Sequence, residues 1–419
     1  MDDPEVRSFH YWNPELQHDP DPLLARMRDR YPIARSEAYG GFWVFTRYDD
    51  VYRAFQDTEL FSSFPGHVPA GGMGKDRPSI PVETDPPDHT RYREILAPLF
   101  TVHRMRRLEE RIRAHARDLI AGIAGRGACD SAVDYAVDYA VEYAKVLPTQ
   151  VFLELMGWPM SDAPMFLRWT EVLMRNPTGD LDTTMAAKQA AAGELWQHFA
   201  AELARRDQVG PPPTGTQRGG DAADHIDFID WLRGASFGGA RPLDQTEILD
   251  CIFIVMLAGL DTTQAVLSFG TEHLARHPDQ RRALIDDPDL IPDAVEELLR
   301  AFAPVFSGRR MLREVEMRGV TLREGDAVVL AMGSACRDAE HFENPDEVDF
   351  HRKPNRHIAF GVGAHRCLGS HLARMVLRIS LREWHARIPD YRIDPERPVC
   401  RHLTAVRGVD SLPLLIGPE

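Results

Sequence analysis

The chain has 419 residues, and 49 Lys plus Arg against 64 Asp plus Glu leave a formal net charge of −15 with histidine neutral. An acidic excess of that size excludes nucleic-acid binding of the ordinary electrostatic kind, which needs basic side chains over phosphates. A hydrophobic share of 43% with 27% charged residues excludes a disordered or fibrous chain.

From the N-terminus, Met1-Asp2-Asp3-Pro4-Glu5 is acidic and carries no apolar stretch of the signal-peptide type, so a cytoplasmic protein is expected. Gly41-Phe42-Trp43-Val44-Phe45-Thr46 predicts a strand. Residues 62–88, rich in Gly and Pro, cannot form regular helix and read as a lid or binding loop. Over 102–123, Met105, Leu108, Ile112, Leu119 and Ile123 recur at helical spacing between arginines, which predicts an amphipathic helix. Residues 183–206, 243–275, 290–302 and 368–388 have the same character, and 207–224 reads as a mobile surface connection. A hairpin is predicted over 315–330, turning at Arg323-Glu324-Gly325-Asp326, followed by coil over 338–366. The class is mainly α with minor β, and without a long linker residues 1–419 are expected to form one domain.

No membrane span is expected, because the longest unbroken apolar run, residues 251–260, is about half of a bilayer crossing. Five cysteines without Cys-x-x-Cys spacing argue against a disulfide framework and a closed zinc site.

Chemistry concentrates at three places. In Phe360-Gly361-Val362-Gly363-Ala364-His365-Arg366-Cys367-Leu368-Gly369, glycines surround a cysteine just before a helix beginning near Leu368. Glycines let backbone approach a flat ligand, and a helix start aims free N–H groups at the sulfur. A lowered thiol pKa is therefore expected, suiting Cys367 to metal ligation or nucleophilic attack; a lone cysteine before a helix otherwise reads as a small buried hydrophobe. Ala258-Gly259-Leu260-Asp261-Thr262-Thr263 places an acid and hydroxyls inside an apolar helix. There a threonine can bond back to the carbonyl four residues earlier and loosen the ladder locally, or simply bend the helix beside an Asp-capped turn. Finally, Glu297 and Arg300, three apart, share a helical face and can pair.

Taken together these motifs resemble the bacterial cytochromes P450, haem-thiolate monooxygenases, over nearly the whole chain. The resemblance implies the triangular helical P450 fold, with haem b between the central helix and the cysteine-loop helix. It makes Cys367 the axial iron ligand, with Phe360, Gly361 and Ala258 against the haem. Thiolate ligation pushes electron density onto iron and favours O–O cleavage. Thr262 is implied to organise hydrogen bonds at the dioxygen site, and Asp261 to relay protons. Glu297 and Arg300 are implied to lock with Arg352 as a structural network. His89, Arg93, Arg309 and His365 match propionate-contacting positions, while Ser307 departs from the acid of the camphor-hydroxylating group.

That group is the nearest architectural resemblance, through Ile80-Pro81-x-x-x-Asp85-Pro86-Pro87 and Glu383-Trp384-x-x-Arg387-Ile388-Pro389-Asp390. By position the pocket is implied between Phe64 and Val82, around Met174, Ile254, Leu257 and Ala258, and at Val305, Phe306, Ala405 and Val406. A small to medium apolar substrate, a terpenoid or aromatic, is expected. Arg77 replaces the camphor group's tyrosine and offers a partner for a carboxylate substrate. No Gly-x-Gly-x-x-Gly nicotinamide motif is present, so electrons are expected from a ferredoxin and an NAD(P)H-dependent reductase. Its docking site is expected at Arg91, Arg104, Arg106, Arg107, Arg366 and Arg374. The rival readings are a peroxide-driven haem-thiolate enzyme and a carrier or sensor without turnover.

Overall fold

The computed structural model describes residues 3–68, 77–124, 135–175, 180–210 and 227–417. Its axis is the helix Gln245–Arg276. Asp244 caps the N-terminus, accepting from the Glu247 N–H at 2.9 Å, while the Glu247 carboxylate accepts from the Asp244 N–H at 2.7 Å. Apolar on nearly all sides, this helix must be covered on all sides. The helices Val146–Met156, Ala163–Met174, Leu181–Val209 and Ser370–Arg387 pack around it. By length and composition it alone among the described helices passes for a bilayer span, but 72% of its most apolar window is buried inside the protein.

The amphipathic helix forms over Val102–Ala124 and turns Ile112, Ala116 and Ile120 inward, against the cysteine-loop helix Ser370–Arg387. The expected helix near 290–302 is Ile291–Ala301. The expected connection at 207–224 is helical as far as Val209, and residues 211–226 lie outside the described residues.

A five-stranded sheet runs in the order 33–36, 42–45, 327–331, 306–311, 61–62. Its central strand Ala327–Ala331 is buried throughout, parallel to Phe42–Phe45 and antiparallel to Phe306–Met311. The hairpin expected across 315–330 is corrected. Val315–Met317 pairs with Val320–Leu322 about a turn at Arg318-Gly319, whose φ values of 46° and 75° suit a primed two-residue turn. Residues 323–326 form a separate turn that delivers the next strand into the large sheet.

Three apolar clusters fill the interior. One lies between the C-terminal half of the central helix, the Glu297 helix and Trp384; a second surrounds Ile252, Leu257 and Phe166; a third joins Phe9, Phe42 and Phe306.

Candidate functional site

The loop before the cysteine-loop helix is fixed by its own backbone. The Cys367 N–H donates to the Phe360 carbonyl at 2.8 Å, and the Gly361 N–H to the Ile358 carbonyl at 2.9 Å. Gly363 has φ +70° and lies so close to neighbouring backbone that a Cβ there would sit 2.7 Å from the Phe55 carbonyl oxygen. The Cys367 side chain is solvent-accessible although protein surrounds it, so the sulfur opens into interior space. Burial pushes its thiol pKa up, against the Gly369 N–H and the Arg93, Arg366 and Arg374 charges. The lowered pKa expected from the helix start is thereby corrected: desolvation outweighs the donors.

Two adjacent glutamates hold this loop from behind. Glu297, buried, takes both Arg300 Nε and Nη2 at 2.8 Å, Arg352 Nε at 3.1 Å, Asn355 Nδ2 at 3.0 Å and the Asp349 N–H at 2.9 Å. Arg300 goes on to the carbonyls of Cys336, Pro345 and Glu347, tying down the coil. Glu296 instead accepts from Arg374 at 2.7 and 2.8 Å and lies 3.2 Å from His357 Nε2. Arg374 in turn covers the Phe360 ring at 4.5 Å. Those partners hold the Glu296 carboxyl down at about 2 despite its burial.

On the central helix, Ala258 and Gly259 are exposed between buried Leu257 and Leu260, so one turn opens onto space. The Thr262 hydroxyl donates to the Ala258 carbonyl at 2.7 Å, within that turn. Leu368 and Leu372, just beyond Cys367, pack against the cluster that holds Leu257, Leu260 and Val406, which brings the opening and the cysteine loop to the same region. Asp261 pairs with Arg175 at 2.8 Å, and its second oxygen, Oδ2, is buried without a hydrogen-bond partner.

Lys188, 3% exposed, lies over the Trp12 ring beside Arg175 and Asp261. Burial, then Arg175, pull its pKa from 10.5 to about 8. The folded value lies below the unfolded one, so stability rises with pH between about 8 and 10.5, and the full penalty applies below 8. Lys188→Met is expected to raise stability at pH 7 by about 3–4 kcal/mol, at roughly 1.4 kcal/mol per pKa unit. Thermal melts at pH 7 and pH 10 check this, since the gain should shrink at the higher pH.

A second set of side chains gathers two arginines and two histidines, and Asp85 acts on Arg309 and His89 without an ion pair to either among the described residues. Arg309, 5% exposed, donates to Ser307 Oγ at 3.1 Å and to the Gly308 carbonyl at 2.7 Å, and burial draws its pKa down to about 10. His89 and His365 stack with ring centroids 3.8 Å apart. Burial holds them neutral, at about 4 and about 2. Ser63 Oγ lies 3.0 Å from His365 Nε2, and His89 Nδ1 is buried without a partner. Among the described residues neither Arg93 nor Arg309 has an ion-pair partner. Orphaned donors and cations of this kind are what buried carboxylates need.

The expected pocket residues divide. Strand pairing joins Val305 to Val406, and the Phe306 N–H donates to the Ala405 carbonyl at 2.8 Å. Met174, Ile254 and Leu257 are buried, whereas Phe64 and Val82 are exposed. Phe306 turns the other way, onto Phe9 and Tyr11, as alternation along a strand requires, so its placement in the pocket is corrected. Residues 69–76 lie outside the described residues. Arg77 does not stand open: its guanidinium lies 4.2 Å from the Trp196 ring and 3.3 Å from Asp250.

The expected basic patch is likewise redistributed. Arg91 pairs with Asp88, and Arg374 with Glu296. Arg106, Arg374, Arg378 and Arg382 line a groove of about 400 Å³ over Met105, Met375 and Ile379. Sequence reasoning missed Arg175, Asp410, Glu296 and Lys188; the signal for Arg175 was a charge ending an apolar helix.

An accessible cysteine sulfur, a one-turn opening in the same region and two arginines without ion pairs among the described residues leave room suited to a flat, anionic cofactor. The cytochrome P450 family profile matches residues 32–383. The vitamin D(3) 25-hydroxylase of Pseudonocardia autotrophica is 34% identical, covering 96% of this chain and 94% of its own. The steroid C26-monooxygenase of Mycolicibacterium smegmatis is 32% identical over 94% of this chain and 92% of its own. The crystal structure of CYP109E1 from Bacillus megaterium in complex with testosterone superposes with a TM-score of 0.81 at 26% identity, covering 96% and 98% of the two chains. This chain belongs to the cytochrome P450 family, as a monooxygenase with haem b as its cofactor. Like other members it needs redox partners and takes a small-molecule substrate.

Proposed function

We propose that this enzyme hydroxylates an apolar organic substrate using dioxygen and two electrons from an acidic ferredoxin served by an NAD(P)H-dependent reductase. Cys367 would hold the iron, and His89, Arg93, Arg309 and His365 the propionates; the buried, unpartnered His89 Nδ1 and two arginines without ion pairs among the described residues support that fit. When bound, haem supplies the dioxygen-activating redox chemistry. Thr262 then positions hydrogen bonds in the opened turn, and Asp261 carries protons toward it. The observation that carries this reading is the exposed Ala258-Gly259 window with Thr262 bonded back into it. Thr262→Ala is expected to lower product formation by about 100-fold while reductant consumption persists, read as product per NADH.

For substrate, the apolar residues Met174, Ile254, Leu257, Val305 and Val406 support a terpenoid or aromatic. The engagement of Arg77 with Trp196 and Asp250 speaks against a carboxylate anchor. A sterol-sized substrate is the second reading, favoured by the names of the hydroxylase relatives. Substrate-induced spin-state titrations with terpenes, phenols, aromatic acids and sterols separate them; tight binding only of large polar macrolides sinks both.

The partner is expected at the groove around Arg106. Reversing charge at Arg106 and Arg107 should slow electron transfer from an acidic [2Fe–2S] ferredoxin about tenfold at low salt and little at high salt, as stopped-flow reduction reads.

A further inference from the structure

Arg175 follows a helix ending in Leu173-Met174 and lies between carboxylates from two different elements. Its Nη2 is 2.8 Å from Asp261 Oδ1 on the central helix, and its Nε is 2.7 Å from Asp410 Oδ1 on the strand Gly408–Ser411. Asp410 also lies 3.1 Å from His402 Nδ1 on the paired strand Cys400–His402, and its carbonyl accepts from Lys145 Nζ at 3.2 Å. The Asp410 side chain keeps 34% of its surface, Asp261 only 2%. Although burial opposes it, the two acids together hold the Arg175 pKa above its ordinary value.

On the reading of Asp261 as the proton carrier, its carboxylate must leave Arg175 during each turnover. A buried guanidinium stripped of its partner is strongly penalised, and that penalty would resist the swing. With two acids, one can leave while the other stays. We propose that Asp410 is a positioning residue that keeps Arg175 compensated while Asp261 swings between the arginine and the Thr262 turn. Without Asp410, Arg175 and the neighbouring Lys188 would both hold Asp261 back. The unpartnered Asp261 Oδ2 agrees with a carboxylate only half committed to its arginine.

The test uses the haem-loaded enzyme with substrate, an acidic [2Fe–2S] ferredoxin and its reductase. Asp410→Asn should lower kcat about tenfold with substrate KM unchanged, raise the solvent deuterium isotope effect on kcat and divert reductant to hydrogen peroxide. Asp410→Glu should restore all three. In an Arg175→Gln background, Asp410→Asn should add nothing, since the lock is gone; additive losses would overturn the proposal. If Asp261→Asn itself leaves the solvent isotope effect unchanged, the carrier reading fails. If Asp261→Asn acts but Asp410→Asn behaves as wild type, this inference alone fails. Should Asp410→Asn not load haem, His402→Gln decides the matter. By leaving Asp410 wholly to Arg175 it should reduce the solvent isotope effect, and an increase counts against the proposal.

Discussion

Glutamine at position 297 is expected to leave little or no haem-loaded protein. The Glu297 carboxylate, 1% exposed, compensates two guanidinium groups at once and receives Asn355 and the Asp349 N–H besides. An amide keeps the shape but loses the charge and turns a donor toward donors. Removing one partner from a buried ion pair costs about 3–5 kcal/mol, a large share of the roughly 5–15 kcal/mol that holds a domain folded. Arg300, fully buried, would be left with backbone carbonyls and at most one amide oxygen, and with no compensating charge. The coil that those carbonyls belong to leads directly into the cysteine loop, so its loosening would unseat the sulfur. Soluble yield and the ratio of haem to protein absorbance measure the effect; a normal ratio with an unchanged melting temperature would contradict it.

Serine at position 367 is expected to separate cofactor retention from chemistry. The substitution leaves the loop's backbone bonds and the distant cations untouched. Haem should therefore still bind, more weakly, through its carboxylates and apolar faces. The hydroxyl is a far poorer anion than a thiolate, so the electron push onto iron is lost. The reduced carbon monoxide complex should lose its strongly red-displaced band, and hydroxylation should fall to background. A retained band would remove Cys367 from its assigned role, whereas complete loss of haem would show that the sulfur, not the cations, dominates retention.

Much of the architecture was legible because helical periodicity is local. The helices over Val102–Ala124, Leu181–Val209, Gln245–Arg276 and Ser370–Arg387 start and stop within a few residues of where the apolar spacing puts them. The hairpin was misplaced because two turn signals, Arg318-Gly319 and Glu324-Gly325, stand close together and alternation continues through both. Which turn closes a hairpin depends on strand partners elsewhere in the chain, here Phe306–Met311. The direction of the Cys367 pKa was misjudged for a related reason: the N–H donors are next in sequence, but the desolvating walls are not. Arg175 with Asp410, and Glu296 with Arg374, were invisible for want of any short spacing; they lie 235 and 78 positions apart. Phe306 was assigned by resemblance, and only the placement of the N-terminal segment reveals that it serves Phe9 and Tyr11.

Consecutive residues on a helix diverge by about 100°, so Glu296 and Glu297 cannot serve the same neighbour. One carboxylate fastens the long coil, and the other fastens the flank of the cysteine loop through Arg374, His357 and Phe360. Holding the long coil and holding the cysteine loop are thus assigned to different side chains of a single helical turn. A change at position 296 would therefore release Arg374 and His357 while the Glu297 anchor stays as it is.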